Sequence, residues 1–292
     1  MAQSDYILFE TPDEGIARIV LNRPKAANAQ DTEFLYALND AFDRAAHDDD
    51  IRVIILAANG KHFSAGHDLA EADKDGAMRE YETVGTICGF GCEGAEAQMS
   101  REEEIYLGFS ERWRNIPKPT IAAVQGKCIA GGLMLAWPCD LIVAADDASF
   151  SDPTVSFGVG GVEYFHHFWE LGARKAKEML FTSDDIAAAE ALQLGMVNKV
   201  VPRESLETET LAMARKIARK SRFALKLTKK AINGAQDAQG RELAMNNAFH
   251  LHQLAHTHWL KVHGMLMDPT GLPEATRRAL ARRVDAEQAG DD

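Results

Sequence analysis

The sequence has little cysteine and no cysteine pattern. Its four thiols, Cys88, Cys92, Cys128 and Cys139, show no paired CxxC spacing. Neither a zinc ribbon nor a disulfide framework is therefore expected, and the thiols read as buried or incidental in a reducing compartment. Positive charge is also scarce: 32 Lys and Arg stand against 44 Asp and Glu, a formal net charge of −12. That balance argues against a nucleic-acid surface, and no DNA or RNA partner is expected. Long apolar runs are missing as well. The longest, residues 129–145, is broken by Gly131, Gly132, Pro138 and Asp140, whereas a membrane span needs roughly 20 predominantly apolar residues in a row. The opening MAQSDYILFE has no basic segment leading into an apolar one, so the expectation is a cytoplasmic protein with no secretory leader and no membrane association. A phosphate-cradling GxxxxGK[ST] is absent. GVGGVE (158–163) has Glu163 where a dinucleotide fingerprint carries its last glycine, and no strand-forming run leads into it, which argues against a Rossmann oxidoreductase.

What is present is an apolar content of 46% over 292 residues, enough for one large core with an appendage. YILFET and GIARIVLN read as neighbouring strands. Asp31 then caps an amphipathic helix carrying Phe34, Leu35, Leu38 and Phe42, and RVIILAA (52–58) is the continuous apolar run of a strand covered on both faces. The rhythm resumes with TIAAVQG (120–126), a glycine-started helix, DLIVAA (140–145) and VNKVV (197–201). From Pro202 onward almost everything is helical. The expected organisation is an α/β core over residues 1–201 and a helical C-terminal region over 202–292. Residues 70–102, rich in glycine, resist the pattern; a lid over a binding site and a surface excursion both fit such a stretch.

Two glycine turns each follow a core strand. KHFSAGHDL (61–69) places Gly66 in a tight turn before a helical start at His67 and Asp68, and CIAGGLMLA (128–136) repeats the arrangement with Gly131 and Gly132 before Leu133. Glycine weakens helices, so a pair at a helix start suggests that something approaches the backbone closely. Helix starts leave N–H groups pointing outward. Two such turns could aim one N–H each at a single oxygen and form an oxyanion hole. Further along, FHLHQLAHTH (249–258) sets His252 and His256 four apart, a spacing that could share a metal on one helical face but lacks the acidic partner of an HExxH arrangement. The expected role is a helical subunit contact, and no metal is expected. The basic RRALARR (277–283) reads as a solvated face.

LNRPKAAN (21–28), FSAGHDL (63–69), PKPTIAAVQGKCIAGGLMLAWPCDLIVAA (117–145) and FTSDDIAAAEALQLGMVNKVV (181–201) occur in an order that resembles the crotonase superfamily, in its enoyl-CoA hydratase/isomerase family, over about residues 6–235. The resemblance implies a crotonase-like spiral core of repeated β-β-α units. It also implies a helical C-terminal region that assembles homotrimers or dimers of trimers, and an acyl-CoA thioester as substrate, with coenzyme A part of the substrate and no separate cofactor. The shared chemistry is stabilisation of a thioester enolate, whose oxygen would be held by the backbone N–H groups of His67 and Gly131; glycine would let the thioester come near. The backbone around Ala65, Gly66, Asp68 and Gly132 would line the bound thioester, with Lys25 near the phosphates or adenine, although an ordinary exposed turn lysine fits Lys25 equally. The basic C-terminal segment could also reach the CoA phosphates of a neighbouring subunit.

The chain departs from the hydratase pattern at two positions. Met134 and Thr154 stand where the resemblance puts the paired glutamates, and neither can activate water or deliver a proton. The carboxylate best placed to replace them is Glu163, on the loop after Thr154, with Asp152, Tyr164, His166 and His167 close in sequence. Burial beside an acyl chain would raise the Glu163 pKa toward neutrality, while a structural role capping the helix toward Gly172 is the alternative. His166 and His167 read as packing residues. The expected function is isomerase-like or other enolate chemistry on an acyl-CoA. The alternatives are a non-catalytic acyl-CoA-binding protein, or a hydratase, lyase or hydrolase with a relocated acid/base.

Overall fold

A computed structural model describes residues 5–69, 71, 81–86, 94–272, 274 and 277. Strands β1 (Ile7–Asp13) and β2 (Ile16–Leu21) pair antiparallel and open a six-stranded sheet of order β1-β2-β3-β4-β6-β9. Its other members, β3 (Val53–Ala58), β4 (Thr120–Val124), β6 (Leu141–Ala145) and β9 (Lys199–Val201), run parallel to β2. A smaller sheet joins β5 (Lys127–Ile129), β7 (Ser149–Ser151) and β8 (Ile186–Ala187).

The unbroken apolar run of β3 follows from burial on both faces. Ile54 and Leu56 join the main core with Phe34, Leu38 and Phe42 of α1 (Thr32–His47), while Val53, Ile55 and Ala57 join a second core with Ile121, Val143, Leu206 and Ala214. Each such aliphatic side chain removed from water contributes about 1.5–3 kcal/mol. As expected, Asp31 caps α1, accepting from the Phe34 N–H at 2.8 Å.

A helical stretch crosses the core next: α2 (Ala95–Glu102) continues through a π-helical turn, Glu103–Gly108, into α3 (Phe109–Arg114). After the 3-10 turn Ala130–Gly132 comes the four-residue α4 (Leu133–Ala136), then α5 (His167–Thr182) and α6 (Ala188–Leu194). The C-terminal region comprises α7 (Leu206–Ala218), α8 (Arg222–Ala238) and α9 (Arg241–His263). α7 lies on the second face of the large sheet. α9 is anchored by Arg241, 2% exposed, whose guanidinium donates to both carboxylate oxygens of Glu111 at 2.6 and 2.8 Å. No helix among the described residues is long and apolar enough to cross a membrane.

Two local expectations are corrected. His67 and Asp68 do not begin a helix: Gln30 donates its N–H to Gly66 C=O at 2.9 Å and accepts from Asp68 N–H at 2.8 Å, which holds His67 extended in a parallel bridge with Gln30. The segment 70–102, of which 70, 72–80 and 87–93 lie outside the described residues, is no loose excursion where it is described. The N–H groups of Val84, Gly85 and Thr86 all donate to the buried Glu104 carboxylate at 2.6–2.7 Å, and Tyr81 stacks on Tyr36 with centroids 4.0 Å apart. The lid reading itself falls largely on residues outside the described ones.

Candidate active site

The two glycine turns come together. Residues 64–67 form an extended segment between Asn28–Gln30 on one side and Lys127–Ile129 on the other, fixed by bridges Gln30 to His67 and Ser64 to Cys128. Gly66 has φ +91°, open to glycine and strained for other residues, and a Cβ there would lie 2.9 Å from Ile129 O and 3.1 Å from Gly131 N. Gly66 C=O and Asp68 N–H both face Gln30, so the alternation of an extended chain directs the His67 N–H to the opposite edge, where residues 129–131 run. In the Cβ direction, however, Gly131 has no free space. A Cβ on Gly131 would meet the His67 imidazole at 2.7–2.8 Å and Gln30 Oε1 at 3.0 Å, and one on Gly132 would meet Ser64 O at 2.7 Å. The double glycine is required by the protein's own close packing, which the sequence reading had assigned to an approaching thioester.

The His67 ring is the centre of the site. It stacks on buried Tyr106, centroids 3.9 Å apart, and its Nε2 lies 3.2 Å from Glu163 Oε2. An ionised carboxylate only accepts, so Nε2 carries the hydrogen, and in the neutral ring Nδ1 holds the lone pair. That Nδ1 is buried and has no hydrogen-bond partner among the described residues. Glu163, 3% exposed, comes from the loop before α5 and caps no helix. The expectation of a raised Glu163 pKa is overturned. Burial alone pushes it up, but the imidazoles of His67 and His252 outweigh burial and hold the carboxyl well below its usual range.

His252 and His256 are likewise not surface groups awaiting a subunit. They are 5% and 7% exposed. Their Nε2 atoms are 2.8 Å apart, with Glu163 Oε1 3.4 Å from His252 and Glu102 Oε1 3.3 Å from His256. Burial disfavours the His252 imidazolium, yet the Glu163 and Glu102 carboxylates raise its pKa to about 9. Glu102 moves down: burial raises it and the two imidazoles more than compensate. Sequence reasoning missed Glu102 and Tyr106. Glu102 begins an unbroken EEE run, which reads as solvated charge, and only the two-histidine spacing on α9 hinted at a cluster.

Other candidates are placed elsewhere. Asp152 is fully buried and accepts from His167 Nε2 at 2.8 Å, Val162 N–H at 3.0 Å and Thr154 N–H at 3.0 Å, so it braces the loop that carries Glu163. His166 and His167 are buried packing residues, as expected, and Tyr164 is buried beside His166. Met134 is 2% exposed in α4, and Thr154 opens the 3-10 turn Thr154–Phe157. Lys25 is exposed. The Ala65 and Asp68 N–H groups are committed to Ala27 O and Gln30 O, and the Asp68 carboxylate accepts from Arg23 at 2.8 Å.

Known proteins share this architecture. Residues 11–267 match the family model described as enoyl-CoA hydratase/isomerase. EchA13 of Mycobacterium tuberculosis is 46% identical over 272 residues, covering 89% of this chain and 83% of that protein. A crystal structure described as a probable enoyl-CoA hydratase from Mycobacterium thermoresistibile is 50% identical, covers 90% of this chain and 100% of its own, and superposes with a TM-score of 0.82. A monofunctional enoyl-CoA isomerase from Mycobacterium smegmatis is 27% identical over 80% of this chain and 95% of its own, with a TM-score of 0.63.

Proposed function

This chain belongs to the enoyl-CoA hydratase/isomerase family, and on that premise we propose that it shifts the double bond of an enoyl-CoA through a thioester enolate, with His67 backed by Glu163 as the proton carrier. The observation that carries this reading is the pairing of half-buried His67 with buried Glu163, the unpartnered Nδ1 of His67 lying against the Gly131 turn.

The thioester oxygen sits between the N–H groups of His67 and Gly131, each supplying about 3 kcal/mol as negative charge develops on it. Glu163 fixes the imidazole tautomer so that Nδ1 can accept a proton from the α-carbon of a 3-enoyl-CoA. The C–H electron pair enters the enolate. The same imidazolium then returns the proton to the γ-carbon, which moves the double bond into conjugation with the thioester. One base suffices for this exchange, and no water is activated. Met134 and Thr154, apolar and neutral at the paired-glutamate positions, favour isomerisation over hydration. Coenzyme A is held as part of the substrate: Ala65 offers its carbonyl, its N–H being committed to Ala27, and exposed Lys25 offers its ammonium to the phosphates. No other cofactor takes part in this step.

The test is a panel of 3-enoyl-, 2-enoyl- and dienoyl-CoA substrates. Isomerisation of the 3-enoyl-CoA is expected, with slow or absent hydration of crotonyl-CoA. Gly131→Pro removes one N–H and should abolish turnover. Hydration at the faster rate, or an active Gly131→Pro protein, overturns the reading. Tight acyl-CoA binding with no turnover on any member would assign a non-catalytic binder.

A further inference from the structure

Behind the His67–Glu163 pair, four buried acceptor atoms converge. Glu102, Glu163, His252 and His256 each offer one ligand atom, all within 4.8 Å of one another. The hydrogen-bond partners of the two imidazoles fix what those atoms are. His252 Nδ1 lies 2.8 Å from Gly161 O, and His256 Nδ1 bonds Leu266 O. A carbonyl oxygen only accepts, so each Nδ1 carries its hydrogen, and in the neutral ring Nε2 presents the lone pair. The two Nε2 atoms lie 2.8 Å apart, with Glu163 Oε1 3.4 Å and Glu102 Oε2 3.6 Å from His252 Nε2 and Glu102 Oε1 3.3 Å from His256 Nε2. A proton shared between the two Nε2 atoms makes that contact a hydrogen bond; with both rings neutral, the state in which imidazoles ligate metals, four buried lone-pair donors face one another and a cation among them offsets their repulsion.

We propose that Glu102, Glu163, His252 and His256 form a binding site for one divalent transition-metal ion of the zinc class. Two imidazoles and two carboxylates are the borderline ligand set such ions take, and their combined charge of −2 matches the ion. A tetrahedral ion about 2.0–2.1 Å from each donor sets donor–donor separations of about 3.3–3.4 Å. With one oxygen from each carboxylate, Glu102 Oε1 to His256 at 3.3 Å and Glu163 Oε1 to His252 at 3.4 Å already lie there, and the imidazoles need part by only about half an ångström. Each ligand also has an outer partner that orients it, as metal ligands generally do. The carbonyls of Gly161 and Leu266 hold the two imidazoles, the side-chain amides of Gln98 and Gln253 donate to Glu102, and His67 Nε2 donates to Glu163 Oε2. A single proton between the imidazoles satisfies that pair alone and leaves two buried carboxylates facing one positive charge.

The inference does not rest on the acyl-CoA reading, because its test requires no substrate. Purified protein, stripped with a chelator and titrated with Co²⁺, should take up one equivalent per chain and develop the intense visible bands of a tetrahedral Co²⁺ site. Zn²⁺ should displace the cobalt and raise the melting temperature. His256→Ala and Glu102→Gln should each lower bound metal at least tenfold. Absence of the Co²⁺ bands in the unaltered protein at a micromolar excess of Co²⁺ overturns the proposal whatever the variants do. In that case, imidazolium resonances from His252 at neutral pH would identify protons as the compensating charge.

Discussion

Glu163 is a residue whose burial and whose neighbours act in opposite directions, and the neighbours win: two imidazoles hold its carboxyl ionised in a site that would otherwise protonate it. In the proposed isomerisation, an ionised Glu163 orients His67 and stabilises the imidazolium formed during turnover. Glu163→Gln keeps the shape and removes the charge, so turnover should fall by about two to four orders of magnitude with little change in acyl-CoA affinity, read as kcat against the dissociation constant of a non-reacting thioester. A fully active Glu163→Gln protein would exclude the dyad. Asp152 shows the same competition in a structural setting. Burial raises its pKa, the His167 hydrogen bond and charge lower it, and the net direction is down. A carboxylate whose folded pKa lies below its unfolded one stabilises the protein above about pH 4, the unfolded value, and loses that contribution as pH falls through the folded one. Asp152→Ala should therefore cost about 3–5 kcal/mol at neutral pH, and Asp152→Asn should flatten the stability loss below about pH 4. Urea melts across the acid range check both, and an unchanged acid limb in Asp152→Asn would assign the loss to other groups.

At the scale of elements, the site depends on one extended segment being clamped from both sides. The Ser64–His67 stretch bridges Gln30 and Cys128, and Gly66 is the position where it has no room: φ is +91° and Ile129 O lies 2.9 Å from a Cβ placed there. Gly66→Ala combines backbone strain with that clash and should destabilise by about 1–3 kcal/mol while displacing His67. Denaturant melts report the first effect and the isomerase assay the second; a change below about 0.5 kcal/mol, the scale of an ordinary surface substitution, would mean that the turn yields. Helix α9 divides its faces. Met245, Phe249, His252 and His256 point inward, while Leu243, Leu251 and Leu254 are 59–77% exposed. The Arg241–Glu111 bridge at its start sets the inward face against α2 and the Glu163 loop, which is why histidines about 90 residues beyond Glu163 meet it.

For the whole molecule, α8 likewise exposes apolar side chains, with Phe223, Leu227 and Ile232 68%, 49% and 59% exposed. Surfaces of this kind mark contacts with another chain. The resemblance implies that this partner is a second and third copy of the same chain, which the mass of the assembly tests. Sedimentation at micromolar concentration should give three or six times the mass of a single chain, and Leu243→Glu with Leu254→Glu should reduce it. A monomeric mass for the unaltered protein would rule the assembly out.

The order of strands and helices was legible because it is written in local periodicity: a continuous apolar run for a strand covered twice, an Asp before an amphipathic helix, glycine at the turns. The family was legible because four segments preserve both wording and order. His67 and Gly131 could be nominated as backbone positions on the same basis. What the chain alone did not reveal is side-chain company. Apart from His252 and His256, four apart on α9, the members of this group, the His67 ring, Glu163 and Glu102, lie far apart in sequence and share no spacing rule, and the direction of the Glu163 shift depends on imidazoles brought in by two other segments. Composition and periodicity determine which surfaces are buried, since burial follows from the residue itself. Tertiary packing decided which charges share a dry interior, since that depends on distance between segments the chain holds apart.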